Sequence, residues 1–419
     1  MSHLPVSPPS SLKTTSQQGI ALLITLVILA LLAVFMTEFS FETKLETRGI
    51  QNYQASFKAK NAVKSLFKAV LQGLKGQNET KFFREHLNNL LKLGTIGSEI
   101  SFLNPPQPVR LPAGVISDFP DVAFYTPYIR PLDHLYNLNR IQPKSRTRIP
   151  EIKADVRLAN QFINILTKWN ITTNQQIGNT VLSQNIQLNI NDILPMYAAI
   201  FDWLDKNSEI YDSSIYGTIG AEKNSYLAAN PEIEIKDGFL DKLSEIQLIR
   251  GINEKRIPLV QWEKGFTIFP VGNKYDAQAN FSLIKPRINV NLATYEEIIE
   301  FLDQFDQNTE YFRNYSQKNY DDIYAQDYYH KREEIAAELT KIPRSKLTSG
   351  EDIKNKLSHI TQYDSKSSEY FIPFNYWYEI NLKTEIDNVQ AEVRAVVSVD
   401  RNSENGKVTK LIIHNFLLR

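Results

Sequence analysis

The residue types that most often carry out chemistry are thinly spread in this sequence. Its six histidines show no HExxH spacing, so the pattern does not indicate a helical zinc-hydrolase site. The chain has no GxSxG nucleophile elbow, no P-loop and no GxGxxG segment. It also contains no cysteine, which excludes disulfides, thiolate metal sites and a cysteine nucleophile. The sequence therefore predicts a protein that is not an enzyme.

One stretch gathers the oxygen-bearing side chains that Ca²⁺ prefers. Carboxylates and an amide surround a glycine-containing loop between residues 202 and 222: Asp202, Asp205, Asn207, Glu209, Asp212 and Glu222. Ca²⁺ takes about six to eight oxygen ligands, but the spacing lacks the glycine and glutamate positions of an EF-hand. From the residues alone, a solvated acidic loop is favoured over a calcium site, and both interpretations stay open.

The overall charge argues against a polyanionic partner. The chain has 419 residues, with 47 Lys and Arg against 47 Asp and Glu, so its net charge is zero. Nucleic-acid-binding proteins usually carry a basic excess or a basic face, and we therefore expect no nucleic-acid partner. Lys60, Lys64 and Lys68 lie four residues apart on a predicted helix. That spacing favours a solvated helix surface over a lipid or nucleic-acid contact.

The segment from residue 20 to residue 36 is almost wholly apolar. It carries no charge, and Thr25 is its one polar side chain. As a helix it reaches about 25 Å, near the lower limit for spanning a bilayer core. It exceeds the usual length of a cleavable signal core, and no small-x-small cleavage site follows, so a signal anchor is the better interpretation. The polar leader before it weakly predicts a cytoplasmic N-terminus, with the bulk of the chain in the periplasm.

The pattern after this segment predicts that the helix continues. Residues 38–75 contain no proline and keep apolar residues three and four apart, first at Ile50, Tyr53 and Phe57, then from Val63 to Leu74. This periodicity predicts one amphipathic stripe. Gly49 is a candidate bend and Gly73 a candidate end of the helix.

The rest of the chain divides by pattern into three regions. Residues 76–155 mix apolar runs with prolines, residues 156–350 are predominantly helical in pattern, and residues 351–419 end in three alternating segments that predict an antiparallel meander. A helical block between two β-rich regions predicts an α-helical domain inserted into an α+β sheet domain.

The N-terminus resembles that of type IV pilins and pseudopilins. It has a polar leader ending in Gly19, then an apolar helix that continues as an amphipathic stalk. The resemblance implies that residues 1–19 are a leader removed by prepilin peptidase and that Ile20 becomes the first mature residue. Residues 20–75 then form the transmembrane and amphipathic helix. Most members carry glutamate at the fifth mature position, where this chain has Ile24.

Further segments resemble, in order, those of the minor pseudopilin K family of the type II secretion system, also called general secretion pathway protein K. They are DWLD at 202–205, GAE at 220–222 followed by Tyr226, LSEIQLIRGI at 243–252, RINVNLAT at 287–294, and the closing strands at 376–419. Lys223 departs from the family, which often has another acid there, and Ile20 replaces the more usual phenylalanine.

The resemblance implies a long N-terminal helix and a pilin-like antiparallel sheet domain with a large inserted α-helical domain. It implies a subunit at the tip of the pseudopilus that initiates assembly and supports protein export. Its implied partners are two other minor pseudopilins of the I and J types, the major pseudopilin, prepilin peptidase, the inner-membrane secretion platform and secreted substrates. It also implies calcium in the α-domain, with Asp202, Asp205, Asn207 and Glu222 as candidate ligands.

Two other functions remain open. One is a single-pass, signal-anchored periplasmic binding or sensor protein, and the other is a membrane-anchored nucleic-acid-binding protein of a DNA-uptake pilus. The segment INVNLATYEEI is similar to helix-hairpin-helix DNA modules, but residues 295–343 contain no glycine for the hairpin. We therefore expect Asn289 and Asn291 to be cap or turn residues.

Overall fold

A computed structural model of the chain describes residues 14–76, 110–111, 123–141, 156–177, 180–205, 208–213, 218–226, 233–270, 286–306, 321–341, 347–362, 364–401 and 408–419. These residues form a long helix, a five-stranded antiparallel sheet and two helical cores, which confirms the predicted α+β class. Residues 1–13, Asn207 and most of the region 76–155 lie outside the described residues. The predicted domain bounds stay predictions.

The described elements are numbered in chain order. The helices are α1 (Thr14–Gly76), α2 (Val156–Thr167), α3 (Ile190–Leu204), α4 (Lys223–Tyr226), α5 (Ile252–Lys255), α6 (Leu259–Gly265), α7 (Tyr295–Leu302), α8 (Asp321–His330), α9 (Arg332–Thr340) and α10 (Gly350–Leu357). The strands are β1 (Arg110–Leu111), β2 (Ala123–Pro131), β3 (Tyr136–Asn137), β4 (Asn170–Ile177), β5 (Thr180–Gln187), β6 (Asp212–Ser213), β7 (Thr218–Ile219), β8 (Phe266–Thr267), β9 (Ile288–Asn289), β10 (Phe371–Ile372), β11 (Trp377–Ile386), β12 (Val389–Arg401) and β13 (Val408–Leu418).

Helix α1 runs without interruption from the apolar segment into the globular part. Its last turns pack on the sheet through residues three and four apart that are almost fully buried: Ala55, Ala59, Ala62, Val63, Leu66, Phe67, Val70 and Leu74. The helix passes through Gly49 and Gly73 and reaches Gly76, so the prediction that Gly73 marks its end is wrong. A glycine inside a helix costs about 1 kcal/mol, and burial of Val70 and Leu74 beside Gly73 outweighs that cost.

The predicted apolar stripe of α1 is correct in its second half and wrong in its first. The apolar residues of the second half, such as Val63 and Val70, face the sheet. In the first half Ile50, Tyr53 and Phe57 are 58%, 73% and 63% exposed. Successive helical residues are about 100° apart, so Phe57 lies about 200° around the helix from Ala59, which is fully buried against the sheet. The two groups of apolar residues therefore lie on opposite faces of one helix.

The sheet has the strand order β1-β2-β11-β12-β13, with antiparallel neighbours throughout. Strands β11, β12 and β13 form the predicted meander, in which Trp377 pairs with Ser398 and Val393 pairs with Leu418. Alternate residues of β11 and β12 point at α1, as period-two burial requires. The sheet and the last third of α1 thus share one core.

The sheet also shows where the helical part is inserted. Strands β2 and β11 are neighbours, with Ile129 opposite Ile380, although the whole helical part lies between them in the sequence. Asp133, just after β2, fixes this junction because its carboxylate accepts hydrogen bonds from the backbone N–H groups of Tyr376 and Trp377, both at 2.9 Å. The two ends of the insertion are therefore held together at the sheet.

The insertion contains two hydrophobic cores. The first surrounds α3 and includes α2, α6 and β8, and the second is built from α7 to α10 with β9 and β10. Two polar side chains of α2 join them, because Asn160 and Asn164 donate to the backbone carbonyl of Asp306 at 2.8 and 2.6 Å beyond the end of α7. Asn289 and Asn291 are turn residues as expected, since Asn289 Oδ1 accepts from the Asn291 N–H at 2.9 Å.

Two segments of the insertion differ from the helical prediction. Residues 170–177 and 180–187 pair as an antiparallel hairpin, β4 and β5. Residues 243–248 form a 3-10 helix, and the positive φ of Gly251 (81°) separates it from α5. Within the 3-10 helix the buried residue is Ile246, and the extended backbone of Ile249 (φ −73°, ψ 135°) ends the helix before α5 begins at Ile252.

Candidate functional site

The apolar half of α1 is the first candidate site. Every residue from Gly19 to Gln54 is exposed, including the whole apolar run from Ile20 to Met36. Among the described residues, α1 is the one helix that could cross a membrane by length and composition. Because this run is not buried in the chain's own core, it has the properties of a membrane anchor rather than of a core helix.

Gly19, the predicted processing site, lies inside α1. A Cβ built on Gly19 meets no atom within 4 Å, so the packing of this chain does not require a glycine there. A helical glycine costs about 1 kcal/mol relative to alanine. The residue next to it, Ile20, is 60% exposed. The geometry leaves both residues accessible to another protein.

The second candidate site is an acidic pocket at the carboxyl end of α3. Asp202 lies in the last turn of this helix and Asp205 directly follows it, and the chain then returns so that Glu222 lies beside them. All three side chains are buried, with residue exposures of 0%, 3% and 5%. The structure therefore brings together three of the four predicted ligands; the fourth, Asn207, lies outside the described residues.

Backbone hydrogen bonds hold the returning loop against α3. The Tyr211 N–H donates to Asp202 Oδ1 at 2.9 Å, and the Gly220 N–H donates to the Tyr211 carbonyl at 2.8 Å. A Cβ on Gly220 would overlap Asp202 Oδ2 and lie 2.7 Å from its Cγ. Glycine is thus required at position 220 because the buried carboxylate occupies the space of a side chain.

The electrostatics of the pocket are unfavourable without a cation. Burial, followed by repulsion from Glu222 and Asp205, raises the pKa of Asp202 to about 7. Burial and repulsion from Asp205 and Asp237 likewise raise the pKa of Glu222 to about 7. Asp202 Oδ2 and Glu222 Oε1 are both buried and accept no hydrogen bond. Buried carboxylates normally have a paired cation or hydrogen-bond donors, so these two oxygens are available to a bound ion.

Asp237 is an acidic neighbour of the pocket that sequence patterns did not indicate, and its carboxylate interacts with Lys223. Asp237 has a positive φ of 49°, and the next residue, Gly238, donates its N–H to the Trp203 carbonyl at 3.2 Å, which brings this segment to the end of α3. Its nearness to Glu222 has no local sequence signal. Lys223 points into solvent and acts on Asp237, whose pKa it lowers against the larger effect of burial.

The donor set fits a hard cation in its chemistry. Carboxylate oxygens are the ligands that Ca²⁺ prefers, and two of those in the pocket are buried without a partner. In the described part of the chain, however, no three acidic or histidine side chains already surround a common point at metal-ligand distances. Asp202, Asp205 and Glu222 would therefore move towards a bound ion, which would replace their mutual repulsion by attraction.

Comparison with solved structures finds similarity to a component of a secretion complex. No protein-family model and no curated protein matches this chain. A similar solved chain belongs to the crystal structure of the GspK-GspI-GspJ complex from the enterotoxigenic Escherichia coli type 2 secretion system. It shares 12% sequence identity, has a TM-score of 0.45, and the match covers 88% of this chain and 99% of that chain.

Proposed function

We propose that this protein is a membrane-anchored, non-enzymatic minor pseudopilin at the tip of a type II secretion pseudopilus. The observation that carries this proposal is the structure of helix α1. An exposed apolar run is followed by a carboxyl-terminal part that packs on an antiparallel sheet, and the helical insertion lies between the neighbouring strands β2 and β11 of that sheet. The first 36 residues from Gly19 onward project about 54 Å from the sheet. Such a helix can lie in the inner membrane, then pack against neighbouring subunits, while the sheet and the insertion stay in the periplasm.

The tip position is supported by Ile24 and by the size of the insertion. A carboxylate at a membrane-buried position costs several kcal/mol unless it is paired, so a fifth-position glutamate is useful where a neighbour supplies an amine. Ile24, 52% exposed on α1, needs no such partner. The insertion adds two helical cores to one end of the sheet, where they would block the stacking of a further subunit. Both features suit a first subunit that initiates assembly with I-type and J-type minor pseudopilins.

Processing by prepilin peptidase tests the proposal. The mature protein should begin at Ile20, and a Gly19→Leu variant should keep its full-length chain in the inner membrane, because a large side chain prevents close approach of the peptidase. Gly49→Leu is the matched control, since Gly49 lies in the same helix and also has no atom within 4 Å of a built Cβ. It should be processed normally.

The same experiment separates this proposal from the signal-anchored binding or sensor protein. A mature chain that begins at Met1, or that is released without residues 20–36, contradicts the pseudopilin assignment. Equal processing of wild type and Gly19→Leu would also contradict it.

The acidic pocket supports a second part of the proposal, a structural Ca²⁺ ion held by Asp202, Asp205 and Glu222. The support is the buried, unpartnered oxygens on Asp202 and Glu222 together with the raised pKa values of both carboxyls. Two further side chains could supply oxygen ligands. Asn207 follows Asp205 by two positions in the sequence, and Asp237 repels the Glu222 carboxylate. The ion would fasten the loop before α4 to the end of α3. Isothermal titration of the calcium-free protein with Ca²⁺ tests this directly, and the absence of saturable binding would exclude it.

A further inference from the structure

The two helical cores of the insertion meet at a row of polar side chains on α2. Asn160 and Asn164 lie four residues apart in this helix, and Lys168 follows at the same spacing directly after it, so the three share one side of α2. The apolar side of α2, which includes Phe162 and Leu166, packs into the first core. The polar row contacts the second core instead.

The two asparagines of this row bind the carboxyl end of α7 and the turn after it. The Asn164 side-chain amide donates to the backbone carbonyls of Gln304 at 3.0 Å and of Asp306 at 2.6 Å. The Asn160 amide donates to the same Asp306 carbonyl at 2.8 Å. The last carbonyls of a helix have no partner within that helix. A helix of the first core therefore caps a helix of the second.

An ion pair completes this junction. The Lys168 ammonium lies 2.8 Å from the Asp303 carboxylate, and the two side chains are 45% and 28% accessible, so the pair contributes little to stability. Among the described residues, no buried hydrophobic side chain belongs to both cores. The contacts of Asn160, Asn164 and Lys168 with the end of α7 and its turn are called the polar latch below. The latch joins the cores by hydrogen bonds and charge rather than by a shared hydrophobic core.

Separation of the cores at the polar latch would leave the contacts within each core in place. Asp303 would keep its second partner, Arg332, which lies 3.1 Å away in the second core. The Asp306 carboxylate would keep the hydrogen bond that the Tyr329 hydroxyl donates to it at 2.9 Å. Water would replace the three broken hydrogen bonds, so each of them contributes only modestly to the closed form. Opening therefore creates no buried unpaired charge and exposes no hydrophobic core.

Each core also has its own attachment to the sheet. The first core is attached where the Arg130 guanidinium of β2 donates to the backbone carbonyl of Glu263 in α6. The second is attached where the Arg287 N–H donates to the Asp133 carbonyl at 2.7 Å, and where Leu292 is buried in the core that α1 shares with the sheet. Opening of the polar latch therefore leaves both cores attached to the sheet.

We propose that the polar latch closes a hinge within the insertion. In the closed form α2 caps α7 through Asn160, Asn164 and Lys168. In the open form the two cores stay folded and attached to the sheet but lie further apart. The exchange changes the shape that the insertion presents beyond the sheet without unfolding an element, and it requires neither a bound ion nor a partner protein.

Distances between two spin labels test the proposal. The chain has no cysteine, so Glu254→Cys/Lys341→Cys places one label on each core of the full-length chain in detergent, at side chains that are 70% accessible. Double electron–electron resonance should resolve a major shorter distance and a minor longer one. In the same labelled chain, Asn160→Ala/Asn164→Ala should raise the ratio of the longer to the shorter distance by about tenfold or more, because it removes three hydrogen bonds of the closed form.

Two controls separate hinge opening from other changes. Asn191→Ala removes an exposed amide of α3 that is not part of the polar latch, and it should leave the ratio of distances unchanged. Labels at Glu254→Cys and Asp241→Cys both lie on the first core. They should give one distance that is the same with and without the latch substitutions.

Three results would overturn the proposal. The first is a single distance between the cores that Asn160→Ala/Asn164→Ala does not change. The second is an equal shift from Asn191→Ala. The third is loss of near-ultraviolet circular dichroism in the latch variant, because unfolding of a core would show that the polar latch belongs to one cooperative unit and not to a hinge.

Discussion

Calcium should stabilise this protein more strongly as the pH rises from about 5 to about 8. Burial, with repulsion from Glu222 and Asp205, raises the pKa of Asp202 from its ordinary value of 3.8 to about 7. One pKa unit corresponds to about 1.4 kcal/mol, so the ionised Asp202 carboxylate costs the calcium-free folded state about 4 kcal/mol at pH 8. The raised pKa of Glu222 acts in the same direction, and the two titrations are coupled rather than additive.

The sign follows from proton binding. Between pH 4 and pH 7 the folded protein holds protons that the unfolded chain has already released, so in chelator the free energy of unfolding falls as the pH rises through this range. A bound Ca²⁺ ion compensates the same negative charge and competes with those protons. At a concentration of 100 times its dissociation constant, the ion adds about 2.7 kcal/mol to the free energy of unfolding.

Thermal unfolding in Ca²⁺ and in chelator between pH 5 and pH 8 measures this effect. Intrinsic fluorescence of the four tryptophans follows unfolding, and one of them, Trp203, is buried next to Asp202. At about 2 °C per kcal/mol, the Asp202 contribution corresponds to at most about 8 °C in chelator. Asp202→Asn should raise the melting temperature in chelator at pH 8 and should reduce the gain from Ca²⁺. The control variant Glu254→Gln should do neither. The Glu254 side chain is 70% accessible, and its ion-pair partner is Arg250 rather than a residue of the pocket.

Either of two results would contradict the predicted pH dependence. The first is that the melting temperature of the wild type in chelator does not fall between pH 5 and pH 8. The control Glu254→Gln would then show the same constant melting temperature. The second is an Asp202→Asn variant that is less stable than wild type in chelator at pH 8, since removal of an uncompensated buried charge must relieve the folded state.

Three further substitutions have defined expected outcomes. Gly220→Ala should destabilise the protein by about 1–3 kcal/mol and abolish the response to calcium, because the new Cβ overlaps the Asp202 carboxylate; unchanged calcium binding by titration would contradict this. Asn139→Ala should lower stability in denaturant by about 3 kcal/mol or more, because the fully buried Asn139 side chain donates to the carbonyls of Leu240 and Ile268 and accepts from the Leu240 N–H. Ile24→Glu should not improve assembly, and an increase in pseudopilus number, counted by electron microscopy, would argue against the tip position.

The sequence alone determined the features that depend on local pattern. The apolar run is almost wholly apolar from residue 20 to residue 36, the helix after it keeps apolar residues three and four apart, and the closing strands alternate. Such patterns indicate an element before any tertiary contact is known. The acidic residues around the end of α3 were also identifiable, because Asp202 and Asp205 lie three residues apart and Glu222 follows a short return.

Only the tertiary structure decided which face of each element is buried. Val63 and Phe57 look alike in a periodic pattern, yet the sheet covers Val63 and leaves Phe57 exposed, because Phe57 lies on the side of α1 opposite the buried Ala59. Periodicity could not distinguish the 3-10 segment at 243–248 from an α-helix, because a segment of 6 residues is too short for spacings of three and four to separate the two.

The charge state of the pocket was likewise a tertiary property. Asp202 and Glu222 acquire pKa values of about 7 because folding removes water from both, places Glu222 near Asp202, and brings Asp205 and Asp237 near Glu222. Asp237 lies fifteen positions after Glu222, and no described helix or strand contains both residues. Local sequence patterns specify elements, but the distance between charges on separate segments exists only after those elements have packed.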